Sequence, residues 1–166
     1  SVINAKPKLQ ATLWVMEEEP TIEQLACAWL VRRFLDRNAM FLFVDPSQIS
    51  SVSEKFGANP VCPQATFDKG RDCCHAFNEL IVTMDIKTPA LQKFGHCLPG
   101  TALHEVAPSK ESADVAAIVF GMRKIYTDDL AFLDASTGVF DALYAWSKHA
   151  LDLVSAAAST SRDVTK

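Results

Sequence analysis

Leu25-Ala26-Cys27-Ala28-Trp29-Leu30-Val31-Arg32-Arg33-Phe34-Leu35-Asp36 sets two adjacent arginines into a segment that is otherwise apolar almost all round. Thr21 and Gln24 precede it with the spacing of a capping box, which predicts a helix through about Asp36. At about 100° per residue, Ile22, Ala26, Trp29 and Arg33 share one stripe, and Leu25 and Arg32 flank it. Arg33 is therefore expected to be mostly buried and Arg32 nearer solvent. A guanidinium cannot shed its proton to escape burial, so it needs a carboxylate or a bound oxyanion. Glu23, Asp36, Asp45, Asp68 and Asp141 are candidate partners, with Asp68 and Asp141 placed first. An oxyanion pocket built on Arg32 and Arg33 is the alternative, supported by Glu23, Cys27, Trp29, Asp68 and Asp141. For a buried Arg33, losing the head group would cost roughly 3–5 kcal/mol.

Outward from this helix, Ala11 to Met16 reads as one strand and Met40-Phe41-Leu42-Phe43-Val44 as another, covered on both faces. Asp45-Pro46 supplies a cap and a first-turn proline and Gly57 a stop, which predicts a helix over 46–56. A third strand is expected near 65–68. Downstream, Asp72 can cap a helix over 73–84, Thr88-Pro89 opens one ending near Gly95, and Ser109 opens one reaching about Gly121. Thr127-Asp128-Asp129 marks a further helix start, where the macrodipole favours negative charge. The last helix is expected over 137–154, amphipathic through Phe140, Leu143, Tyr144, Leu151 and Val154. The fold class is α+β: a small mixed sheet of two or three strands near the N-terminus, packed on helices, with a mostly helical C-terminal half. One domain over 8–154 and a disordered tail over 155–166 are expected.

With 166 residues, 49% apolar and 22% charged, the chain suits one domain with a substantial core. A net charge of -4 argues against charge-driven binding to nucleic acid or an anionic membrane. No apolar run approaches the roughly 18 residues of a membrane span. The chain begins at Ser1, which leaves an upstream signal peptide or further domain open. Five cysteines, Cys27, Cys62, Cys73, Cys74 and Cys97, are an odd set without a disulfide framework, as expected of reduced thiols in the cytoplasm.

Glycine-rich phosphate loops, paired CxxC, HExxH and GxSxG are all absent from the sequence. Cys73-Cys74-His75, with His96-Cys97 and His104, offers soft ligands, but adjacent helical residues diverge by about 100° and cannot all face one ion. Glu23, Asp68, Cys73 and His75 are the weak metal candidates for a divalent ion. Cys27 is expected to be a packed thiol, Trp29 and Trp146 to be core anchors, and Glu17-Glu18-Glu19 a solvated turn.

The run from Leu25 to Asp36, followed by Met40 to Val44, resembles the opening block of ChrB-type chromate-resistance domains, whose pattern is close to DRIACPWLIRRFID and then FLFV. Phe67-Asp68-Lys69-Gly70 with Cys73 or Cys74 is similar to that family's F-x-H-x-G-x-x-C block. Val106-Ala107-Pro108 resembles its AP helix start, and Val139 to Trp146 its closing YDALYAW. The blocks run in order over 12–147. The resemblance implies a role in bacterial resistance to chromate, a tetrahedral dianion, in a regulator whose DNA contacts lie in an N-terminal region outside this chain. Four positions depart from the pattern: Asp68 stands for its histidine, Glu23-Gln24 for its Asp-Arg, and Gly100 for a downstream aspartate. If those positions hold a metal in the family, the site here is incomplete.

Two functions of different class follow. The first is a sensor or accessory domain, a homodimer being one candidate form, in which Arg32, Arg33 and helix amides bind a chromate-like oxyanion. The second is a thiol- or metal-dependent detoxifying enzyme using Cys27 or Cys73, for which no base or orienting partner is evident. A degenerate scaffold that binds a protein partner is the bland alternative. No catalytic residue and no cofactor is assigned from the sequence.

Overall fold

The computed structural model describes residues 12–62, 76–99 and 109–163. The order of elements is β1 (Leu13–Glu17), α1 (Ile22–Leu30), a π turn (Val31–Leu35), β2 (Met40–Val44), a 3-10 turn (Pro46–Gln48), α2 (Ile49–Phe56), β3 (Asn59–Pro60), α3 (Ala76–Thr83), α4 (Pro89–His96), α5 (Lys110–Ile125) and α6 (Asp129–Asp163). The α+β class holds, with the sheet at the N-terminal end and helices beyond it.

The sheet has the order β2-β1-β3 and is parallel throughout, where a mixed sheet was expected. Each crossover carries a helix, which is what a parallel neighbour requires. β1 pairs with β2 from Leu13↔Met40 to Glu17↔Val44. Alternation then sends Trp14, Met16 and Phe41 into the main core with α1, and Val15 to the other face with Ile49 and Ala58 beside α2. With α1 and α2 on opposite faces and their crossovers running in opposite directions, both connections keep one hand. The third strand is Asn59–Pro60, pairing at Trp14↔Asn59 and Val15↔Pro60. Proline fits there because β3 is an edge strand. The strand expected near 65–68, and Asp72 as a cap, lie outside the described residues.

The start signals match the structure. Thr21 and Gln24 close a reciprocal capping box, Thr88 and Ser109 accept from Leu91 and Ser112 amides, and Asp45 accepts from Ser47. Gly57 ends α2 at φ 64. All nine residues of α1 are buried, which makes this helix the centre of the core.

Three expectations about α6 are corrected. Residues 129 and 137 belong to one continuous helix of 35 residues, not two. Ser136 and Thr137, at the expected junction of the two helices, donate their hydroxyls to Phe132 and Leu133 carbonyls at 2.7 and 3.0 Å and stay helical. The buried apolar stripe through Phe132, Leu133, Phe140 and Leu143 runs unbroken across that junction. The helix also continues to Asp163, so 155–163 are helical rather than disordered. Trp146 is 38% exposed, with the Lys93 ammonium 5.1 Å from its ring centroid, and so is not a core anchor. Among the described residues, no helix is long and apolar enough to cross a membrane.

Two glycines should respond oppositely to alanine. Gly57→Ala strains a left-handed stop and should cost about 1 kcal/mol, whereas Gly138→Ala, mid-helix with open space at its Cβ, should gain about 0.5–1 kcal/mol. Urea unfolding of the two variants checks this, and a destabilised Gly138→Ala would contradict the continuous helix.

Candidate functional site

The arginine pair sits in the π turn that ends α1. Asp36 donates its amide to the Val31 carbonyl at 2.8 Å, closing an i to i+5 turn. The wider turn advances each residue by less than 100°, so the angular phase that serves up to Leu30 does not carry past it. The expected burial order is therefore reversed: the Arg32 side chain is 21% exposed and that of Arg33 44%.

Across the seam, α6 presents Asp134, Thr137 and Asp141 at helical spacing, one above the other. Arg32 Nη1 donates to Asp134 Oδ1 at 2.8 Å and to Thr137 Oγ1 at 3.3 Å. Its guanidinium also lies 5.2 Å from the Phe41 ring centroid, so the sheet supports it from the other side. Arg33 engages Asp141 in a fork, Nε to Oδ1 at 2.9 Å and Nη2 to Oδ2 at 2.7 Å. Asp141 Oδ1 also accepts from Trp29 Nε1 at 2.8 Å. The Arg33 hydrogen bond, aided by that from Trp29, holds the Asp141 carboxyl below its usual range, and the same bond raises Arg33. Because both partners are over two-fifths exposed, the bridge is worth about 1 kcal/mol or less, not the buried-pair cost expected from the sequence.

Asp141 is thus the partner placed first for Arg33. Asp68, the other first choice, lies outside the described residues, as do Cys73 and His75. Asp36 accepts from Trp14 Nε1 at 3.1 Å, and Asp45 caps its own turn. Asp134, Thr137 and Phe41 were not singled out from the sequence, although the 134, 137, 141 spacing on one helix face was a usable signal.

Glu23 stands apart from the arginines. It is 4% exposed and its carboxylate accepts from the Phe77 amide at 3.1 Å, capping the first turn of α3. Burial pushes its pKa up from 4.5 to about 7, against the backbone hydrogen bonds from Phe77 and Ala76, with Glu79 adding to the rise. Cys27, Cys62 and Cys97 are buried, and Cys27 is packed in the core as expected. Burial, then Glu111, raises the Cys97 thiol. Among the described residues, no group of three or more His, Cys, Asp and Glu could hold a metal ion.

Below pH 4.5, Glu23 is protonated in folded and unfolded chains alike. Between 4.5 and 7 the folded protein keeps a proton that the unfolded chain releases, so stability falls as pH rises, by on the order of 3 kcal/mol in full above 7. Glu23→Gln keeps an acceptor for Phe77 and should lose this pH dependence. Denaturation at pH 5 and pH 8 checks it: wild type should weaken relative to the variant at pH 8, and parallel profiles would contradict the assignment.

Comparison with known proteins identifies the surrounding family. The model of the ChrB C-terminal domain family matches residues 14–147, so the chain belongs to that family. Protein ChrB of Cupriavidus metallidurans is 28% identical over 140 residues, a match covering 81% of this chain and 40% of that protein. The match therefore spans well under half of that relative's length. No solved structure matches.

Proposed function

We propose that this ChrB C-terminal domain is an oxyanion-responsive accessory domain of a bacterial chromate-resistance system, in which Arg32 and Arg33 exchange α6 carboxylates for a tetrahedral dianion. The observation that carries this is that two consecutive arginines, Arg32 and Arg33, are each held by an α6 carboxylate, Asp134 and Asp141, that is itself 57% and 43% exposed. Such surface pairs hold weakly, at about 0–1 kcal/mol each, so a dianion that offers several acceptors can compete for both arginines. Asp141 would keep its Trp29 hydrogen bond while losing Arg33, which makes Trp29 the link between the anion and the core.

In this reading the role is regulatory, in the cytoplasm, and DNA contact belongs to a region outside this chain. The acidic balance of -4 fits a domain that does not itself seek nucleic acid. The thiol-dependent enzyme is less well supported, because Cys27, Cys62 and Cys97 are buried away from any substrate in solvent.

Calorimetric titration with chromate, and with sulfate as a non-oxidising analogue, tests the reading at low ionic strength. Wild type should show saturable binding, and Arg32→Ala and Arg33→Ala should each weaken it about tenfold or more, as expected for the loss of charge-assisted hydrogen bonds. No binding by wild type at millimolar anion, or unchanged binding by both folded variants, would overturn it.

A further inference from the structure

Helix α5 is apolar on more than the face it buries. Ser112, Val115 and Val119 form its inward stripe. Outside lie Ile118, 53% exposed, Phe120, 64% exposed, and Ile125, 74% exposed. A helix apolar all round is normally covered all round, and large exposed apolar patches mark interaction surfaces.

Between these bulky residues runs a shallow groove. Ala113, Ala117 and Gly121 follow each other at intervals of four on the exposed side, and a Cβ built at Gly121 meets nothing within 4 Å. At about 100° per residue, Phe120 closes one flank of this groove and Ile118 the other. Small residues between bulky ones let a second helix backbone approach closely.

The charges on this face indicate which helix that is. The exposed residues Asp114 and Lys124 stand at equal distances along α5 from the midpoint between Ala117 and Gly121. A two-fold axis at that midpoint, relating two antiparallel copies of α5, sets Asp114 of one copy level with Lys124 of the other, twice. It also sets Ala117 level with Gly121 and brings Phe120 against its own counterpart. In a two-fold interface each patch must complement itself, and this one does so in both charge and bulk.

We propose that the outer face of α5 is a self-association surface on which a second copy of this chain packs its own α5 antiparallel. The interface needs neither the arginine pair nor an anion, so it stands independently of the function proposed above.

Sedimentation velocity of the full chain at micromolar to hundred-micromolar concentration is the test, joined to zero-length carbodiimide cross-linking. Wild type should form a dimer, with a cross-link joining Asp114 to Lys124. Asp114→Lys and Lys124→Asp should each weaken the dimer about tenfold, because two attractive pairs become two repulsive ones. Combining the two substitutions should restore it. Gly121→Leu, which has room in the monomer, should also disrupt it by filling the groove. Circular dichroism confirms that each variant folds. A wild type monomeric over the whole range would overturn the proposal, as would a dimer indifferent to all these changes or one held by another partner face.

Discussion

The Asp141 carboxylate is the point on which the architecture around the arginines turns. It accepts from Trp29 Nε1 and from both prongs of the Arg33 guanidinium, so one side chain on α6 fixes the end of α1 and the turn that follows. Trp29 is 1% exposed and stacks on Phe94 at 4.6 Å, with Phe34, Phe140 and Tyr144 also against it. An indole N–H in that setting must have an acceptor, because leaving a buried donor unpaired costs about 1–3 kcal/mol. The ion pair beside it is exposed and contributes less. Asp141 therefore joins a strong structural requirement to a weak, exchangeable electrostatic one, the combination on which the proposed anion response rests.

The rest of the site follows from how α1 is held. Its first turn is fixed by the Thr21 and Gln24 box, its middle is buried on every side, and Glu23 reaches across to cap α3. Only at Leu30 does the buried helix give way to the wider turn that lets two long cationic side chains leave the core. Arg32 then lies between Phe41 on the sheet and Asp134 on α6, and Arg33 reaches further out to Asp141.

Caps and stops were legible in the sequence because their physics is local. Thr21, Asp45, Gly57, Thr88 and Ser109 each act within a few residues, and each stands where its spacing indicates. The apolar runs likewise gave both main strands, and Asp141 was among the named partners of Arg33. What was not legible depends on distant contacts. The change to a π turn at Val31 cannot be seen in a periodicity that assumes a uniform helix, and it reversed the burial of Arg32 and Arg33. Asn59–Pro60 has the composition of a turn and is a strand only because Val15 pairs with it. The expected division between a helix opening at 127–129 and one over 137–154 is absent because the packing of α6 carries one helix through both.

The central claim is that Asp141, not the arginine pair in general, holds α1 to α6. Urea unfolding of Asp141→Ala beside Asp134→Ala tests it directly, since each removes one carboxylate from one arginine but only Asp141→Ala strands the Trp29 N–H. Asp141→Ala should lose about 2 kcal/mol and Asp134→Ala less than about 1 kcal/mol. Equal losses from the two variants would contradict the account.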